Sequence, residues 1–231
     1  QAQDGASLQS PPFWNLLRTY LADASSSVFQ YLVDHRKQYA ERYGKQEVEG
    51  KIHDTYLAWP AHYLHYSGNG HVSLDEKGFS DFLSGVRKSD YEHKEEIVAK
   101  SQLTIFSGLK QWTAYSQTVS RMLKDGVLSR DAAGAKTLYS YTDMIYRFGK
   151  NDSVALAGAE AFAKTIAGEI PGIDGQDKAS YQELYAELLE ARGKKDAAAQ
   201  VRSQIDQQKL TQSQQSNPFQ QLQPVSRKNS K

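Results

Sequence analysis

The stretch YAELLEARGKKDAA, from Tyr185 to Ala198, decides the predicted fold of this chain. Leu188 and Leu189 lie in a run with helical periodicity, and Gly193 follows as a turn residue. A second helical run begins at once and places the small Ala198 where two helices would cross. This pattern predicts a helical hairpin of the kind found in repeat proteins, which present surfaces for recognition rather than reactive groups.

The composition restricts the possible functions. The 231 residues carry a formal net charge of +1, so no bulk field favours nucleic acid or an anionic membrane. The chain contains no cysteine, which excludes a disulfide framework, a thiolate nucleophile, a thiolate metal site and a dithiol redox cycle. No nucleophile elbow, P-loop or GxGxxG sequence is present. We therefore expect a protein that is not an enzyme and needs no cofactor.

Helical periodicity continues along most of the chain and predicts an all-α fold. Ser10, Ser73 and Ser129 are predicted helix N-caps, Gly44 is a predicted C-cap, and Pro60 is expected to break a helix. No run of alternating residues supports more than a minor contribution from strands. The predicted regions are a flexible segment over 1–10, a helical region over 11–126, a repeat-like helical region over 127–210 and a disordered tail over 211–231.

The segment from Tyr185 to Ile205 resembles a tetratricopeptide hairpin, with Ala186, Leu189 and Gly193 at the expected offsets. Arg202 departs from the pattern because an aromatic residue is usual there. A comparable helix-glycine-helix unit around Gly149 lies too far upstream for a regular repeat. The resemblance therefore implies two irregular repeat-like hairpins rather than a solenoid.

A second resemblance covers roughly residues 13–210. The motifs FWN at 13–15, SVFQYL at 27–32 and YG at 43–44, followed by EV at 47–48 and KI at 51–52, resemble the helical region of exported thioredoxin-like proteins of the Bacteroidetes type. The Cys-x-x-Cys pair of that family is absent, so no catalytic residue is carried over. The resemblance implies an accessory role beside thiol-disulfide chemistry, with a thioredoxin fold or an envelope protein as partner.

Location and partner class follow as expectations. The start QAQDG is typical of a processed exported protein, and we expect a periplasmic or otherwise exported chain without a transmembrane segment. The leading hypothesis is a noncatalytic module that binds a protein, not nucleic acid. A partner would lie between the helices of 138–167 and the hairpin of 181–205, with contacts from Tyr141, Arg147, Tyr181 and Tyr185.

Two alternatives stay open at the level of sequence. His62 and His65 are three residues apart and would bind a metal or a small ligand if they shared a helical face. Packing of these histidines beside Trp59 is the competing interpretation. Catalytic groups that assemble only in the fold are the other alternative, and Asp90, Glu92, Glu95 and Glu96 surround His93 and Lys94 in a run that we interpret as a solvated helix face.

Overall fold

A computed structural model describes residues 8–215 of the chain, and it confirms the all-α class. The described part contains eleven α-helices, one short 3₁₀-helix and one two-stranded hairpin. The chain divides into two compact units, the first ending at Leu128 and the second beginning at Ser129. We call them unit 1 and unit 2.

Unit 1 contains the helices α1 to α7 and the hairpin. The helices are α1 (Pro11–Tyr20), α2 (Ser27–Asp34), α3 (Arg36–Tyr43), α4 (Lys45–Ala58), α5 (Glu76–Lys88), α6 (Lys94–Gly108) and α7 (Trp112–Lys124). The 3₁₀-helix Trp59–Tyr63 and the strands β1 (Leu64–Tyr66) and β2 (Val72–Leu74) lie between α4 and α5. The strands are antiparallel, and Leu64 pairs with Leu74.

Aromatic and aliphatic side chains fill the core of unit 1. Phe29 packs edge-on against Tyr56, with 4.7 Å between the ring centroids. Trp14 stacks on Tyr43 at 5.3 Å, which fixes α1 against α3. The fully buried members of this core include the following residues: Phe29, Leu32, Val33, Tyr39, Val48, Ile52, Tyr91, Ile97 and Ile105.

Arg36 is a buried cation that ties α3 to the loop before α6. Its guanidinium donates to the Asp90 carboxylate at 2.6 Å, to the Asp90 carbonyl at 3.0 Å and to the Val33 carbonyl at 3.1 Å. A buried charge is tolerated when it is paired and hydrogen-bonded in this way. The apolar periodicity of residues 28–43 fits one continuous helix, whereas the structure divides this stretch into α2 and α3 at His35, directly before this arginine.

The segment before α1 is held by side chains of α3. The hydroxyl of Tyr39 donates to the Leu8 carbonyl, and the hydroxyl of Tyr43 and the guanidinium of Arg42 donate to the Gln9 carbonyl. Leu8 and Gln9, which accept these hydrogen bonds, belong to the segment 1–10 that was predicted to be flexible. Residues 1–7 of that segment lie outside the described part of the chain.

Unit 2 contains four helices: α8 (Ala132–Phe148), α9 (Ser153–Gly168), α10 (Gly175–Ala191) and α11 (Lys195–Gln215). α9 packs against both α8 and α10, and α10 packs against α11 through Ala186, Leu189 and Ala198. Gly193, with φ +77°, makes the turn between the last two helices. The tail predicted to begin at 211 instead continues α11 to Gln215, and residues 216–231 lie outside the described part.

Two predicted helix caps are wrong. Ser73 belongs to β2, and the cap of α5 is Asp75, whose carboxylate accepts from the Gly78 amide at 2.9 Å. Asp131, not Ser129, caps α8 and accepts from the Gly134 amide at 2.8 Å. The Ser129 hydroxyl supports that cap by donating to Asp131 at 2.7 Å. In both places a carboxylate two residues downstream takes the position, because a charged acceptor makes the stronger hydrogen bond.

The other local signals are confirmed. Ser10 precedes α1 and the two prolines occupy its first turn. Gly44 ends α3 with φ +97°, a conformation that glycine adopts without a steric penalty. α4 ends at Ala58, and Pro60 lies in the 3₁₀-helix that follows. These features depend on neighbours in the sequence, which is why the sequence could predict them.

Candidate functional site

Charged side chains of α8, α10 and α11 form one continuous face of unit 2. At its centre the Arg202 guanidinium, on α11, donates to Glu183 at 2.9 Å and to both carboxylate oxygens of Glu190. Both glutamates lie on α10, so this arginine spans two turns of the neighbouring helix. Three charge-assisted hydrogen bonds from one guanidinium to two carboxylates fix α11 in register along α10. We call the set the charged face, and its members are Tyr139, Asp143, Tyr146, Arg147, Glu183, Glu187, Glu190 and Arg202.

Helix α8 supplies the other side of the charged face. Arg147 pairs with Asp143, one turn earlier, with 2.7 Å between Nε and Oδ2. Burial raises the pKa of Tyr139, and the carboxylate of Asp143 raises it further. Burial also raises the pKa of Tyr146, and the carboxylates of Glu187 and Glu190 raise it further. Both phenols therefore stay protonated at neutral pH and remain hydrogen-bond donors.

Glu187 is the exceptional member of the charged face. Burial raises the pKa of its carboxyl group, and the charge of Glu183 raises it further. The three other carboxylates of the face each pair with an arginine. Glu187 forms no ion pair within residues 8–215, although Arg202 and Arg147 lie near enough to lower its pKa. With four carboxylates against two guanidiniums the face is acidic, and Glu187 is the carboxylate open to an external cation.

The four predicted contact residues have different places in unit 2. Arg147 belongs to the charged face and is exposed. Tyr181 is only 4% exposed and packs against Tyr139, with 5.0 Å between the ring centroids. Tyr185 packs on the apolar cluster between α10 and α11. Tyr141 is half-buried on α8. Their contact with a partner stays a prediction, and in this arrangement Tyr181 supports the face from beneath.

The acidic row on α10 was missed, although its spacing was visible. Glu183, Glu187 and Glu190 follow one another at four and three residues, which places them on one side of a helix. In the sequence, Arg202 stands out only as a departure from the tetratricopeptide pattern. Nothing local in the sequence shows that α11 turns this arginine toward that row, because the register of two packed helices is a tertiary property.

The alternative that His62 and His65 act together required them to share a helical face, and the structure does not place them on one. His62 lies in the 3₁₀-helix and stacks on Trp59 with 4.3 Å between the ring centroids. His65 lies in β1, where it pairs with Ser73. Across residues 8–215, no group of three or more histidine and carboxylate side chains is arranged to hold a metal ion.

A different pair of histidines comes together between α4 and α6. The rings of His53 and His93 lie 6.3 Å apart, and Glu96 lies between them, 3.6 Å from His53 Nε2 and 3.7 Å from His93 Nδ1. Lys100 pairs with the same carboxylate at 2.6 Å. Burial alone would raise the pKa of Glu96, but Lys100 and the two histidines together hold it below its ordinary value. We call these four residues the His53–His93 cluster.

Two buried polar atoms adjoin the His53–His93 cluster. The hydroxyl of Tyr91 and Oε2 of Glu49 have no hydrogen-bond partner in the described part of the chain. Burial raises the pKa of Tyr91, and the charge of Glu49 raises it further. Tyr91, in the same run, is buried beside Tyr56 of α4. The interpretation of the charged residues of this run as a solvated face is wrong for Glu96, which is half-buried. It holds for Glu92 and Glu95, which are exposed.

Comparison with protein-family models, with curated proteins and with solved structures found no match. The described helices include none that is both long and apolar enough to cross a bilayer.

Proposed function

We propose that this chain is a noncatalytic helical module that binds another protein through the charged face of unit 2. The observation that carries the proposal is Glu187, a half-buried carboxylate that forms no ion pair among residues 8–215, whereas the other three carboxylates of the charged face are paired. A partner that places a lysine or arginine against Glu187 would neutralise it. The partner is therefore a protein segment with a basic side chain.

The neighbours of Glu187 suit such a segment. Tyr139 and Tyr146 offer aromatic surface and hydroxyl donors beside it. Arg147 and Arg202 are already held by carboxylates of the face, so both remain in place when a partner approaches. Electrostatic complementarity of this kind contributes to the rate and the specificity of association.

The proposal also names the class of protein to which the partner belongs. The similarity of residues 13–210 to the helical region of exported thioredoxin-like proteins supports a thioredoxin fold or an envelope protein as partner, and an exported location. The motifs that carry that similarity lie within residues 13–52 and include no member of the charged face. The binding proposal therefore stands on Glu187 and is tested without reference to redox activity.

Affinity capture with charge variants tests the proposal. Purified chain would be incubated with an extract of the organism that makes it, and bound proteins would be quantified by mass spectrometry. We expect a protein captured by the wild type to lose at least about fivefold in yield with Glu187→Lys, because like charges at an interface repel. Glu169→Gln, which removes an exposed carboxylate outside the charged face, serves as the control.

Direct binding of the captured protein completes the test. Its affinity should fall as salt is raised, since ions screen exposed charges over about 8 Å at physiological ionic strength. Equal capture by wild type and Glu187→Lys, or no capture above the level of empty beads, would refute the proposal.

A further inference from the structure

A cleft of about 300 Å³ lies in unit 1, between the C-terminal end of α5, one face of α6 and the C-terminal half of α7. Its volume is at the lower end of those that hold small organic ligands. None of its lining residues belongs to the charged face or to the His53–His93 cluster. The cleft therefore needs an explanation of its own.

Apolar side chains form the floor of the cleft. Val98 and Ala99 of α6 are 5% and 6% exposed, and Met122 of α7 is 1% exposed. Methionine adapts its shape to an apolar group that enters beside it. The floor can thus accept a short aliphatic side chain and remove it from water.

Four charged side chains line the same cleft: Arg87 of α5, Glu95 of α6, and Arg121 and Asp125 at the end of α7. All four are exposed. Arg121 donates to Gln102 at 2.7 Å, which orients its guanidinium. Within the described residues none of the four forms an ion pair, although opposite charges line one small cleft. Two cations and two anions are left available to a ligand.

Asp125 occupies an unfavourable place for an acid. It is the C-cap of α7, where the helix dipole disfavours negative charge. No cation in the part of the chain that the structure describes compensates it by an ion pair. Functional sites commonly retain residues that lower stability in this way.

We propose that this cleft binds a small zwitterion with an apolar side chain, such as a free aliphatic α-amino acid. Its carboxylate would face the guanidiniums of Arg87 and Arg121, its ammonium group would face Glu95 and Asp125, and its side chain would lie on the floor. A simple anion or cation fits less well, because each would also meet two like charges. The inference is independent of the proposed protein partner, which concerns unit 2.

Titration of the full chain with three related probes tests the inference. The probes are L-leucine, N-acetyl-L-leucine, which lacks the ammonium charge, and L-leucinamide, which lacks the carboxylate. Binding would be followed by ¹H–¹⁵N correlation spectra at the amides of Val98, Ala99 and Met122. We expect L-leucine to shift these amides, and each of the other probes to bind about two- to fivefold more weakly, the upper part of the range for one exposed charge contact.

Three variants extend the titration. Arg121→Met and Asp125→Asn should each weaken L-leucine binding to a similar degree, whereas Lys88→Met removes an adjacent exposed cation that does not line the cleft and should leave binding unchanged. Asp125→Asn keeps the shape of the side chain and removes only its charge. A loss of binding in this variant therefore cannot result from altered packing, as it could with Arg121→Met. The inference is overturned if L-leucine causes no shifts at these amides, if the three probes bind equally, or if Asp125→Asn binds like the wild type.

Discussion

Gly134 shows how strongly a single residue constrains unit 2. A Cβ atom at this position would lie 1.9 Å from the Ser129 carbonyl oxygen, which is far inside contact distance. The obstacle is backbone, and it belongs to the loop that carries the Asp131 cap. Helix α8 can therefore approach this loop so closely only because residue 134 has no side chain.

Gly134→Ala should therefore lower the free energy of unfolding by about 1 to 3 kcal/mol, the usual range for overpacking. Chemical denaturation followed by circular dichroism would measure it. Gly168→Ala is the matched control, because no atom lies within 4 Å of a Cβ placed there. Equal stability of the Gly134 variant and the wild type would show that the loop can move aside without loss.

Glu96 makes the stability of unit 1 depend on pH. Its pKa is below the ordinary value of 4.5 in the folded chain, so its charged form is favoured by folding. The sign follows from linkage: this stabilisation is fully present above pH 4.5 and is lost as pH falls through the lower folded pKa. Replacing Glu96 by an uncharged residue should remove this stabilisation.

Glu96→Gln should destabilise the chain at pH 7 by about 1 kcal/mol, a typical value for a half-buried charge-assisted contact. The difference from the wild type should shrink as pH falls below 4.5 and vanish once the carboxyl is protonated in both states. Urea denaturation at several pH values measures this. Glu41→Gln, which removes an exposed carboxylate that forms no ion pair in the described part of the chain, should show no such dependence. A difference that stays constant with pH would contradict the assignment.

Glu160 joins α9 to the turn between α10 and α11 in unit 2. From α9 its carboxylate accepts from Arg192 at 2.5 Å and from Lys194 at 2.7 Å, on either side of the turn at Gly193. Burial would raise the pKa of Glu160, but these two cations hold it below its ordinary value. The contact fixes the α10–α11 turn against α9, and with it the approach of Arg202 to the charged face.

Glu160→Gln should increase hydrogen exchange at the amides of 193–198 and lower stability by about 1 kcal/mol. Glu169→Gln, at the end of the same helix, should change neither. Unchanged exchange at the turn would mean that apolar packing of Ala186, Leu189 and Ala198 alone sets the hairpin.

Helices could be predicted from the sequence more completely than the sites that they form. Gly44 and Gly193 end helices through their own backbone conformation, and the sequence located both. The pairing of Arg202 with Glu183, or of His53 with Glu96, joins residues on different helices. Such contacts depend on helix register and burial, which periodicity does not specify. His62 and His65 show that the opposite also holds: two residues that are close in sequence need not lie on one face of the fold.

At the scale of the whole molecule, each unit has a core of its own. The apolar cluster of Ala186, Leu189 and Ala198 lies wholly in unit 2, where Leu138, Ile145 and Leu188 are also fully buried, and the aromatic core of α1 to α6 lies wholly in unit 1. A unit with its own core is expected to fold independently. A fragment that begins at Ser129 should therefore show a helical circular dichroism spectrum and a cooperative thermal transition. A spectrum of an unfolded chain would show that unit 2 needs residues before 129.

The placement of the tryptophans gives this molecule a built-in optical label. Trp14, Trp59 and Trp112 are the three indoles of the chain, and all lie before the boundary at Leu128. Emission excited at the red edge of indole absorption thus reports on unit 1 alone, whereas tyrosines occur in both units. A denaturation curve from this emission that differs from the curve of total helicity would resolve the two units in the intact chain, with no dye attached.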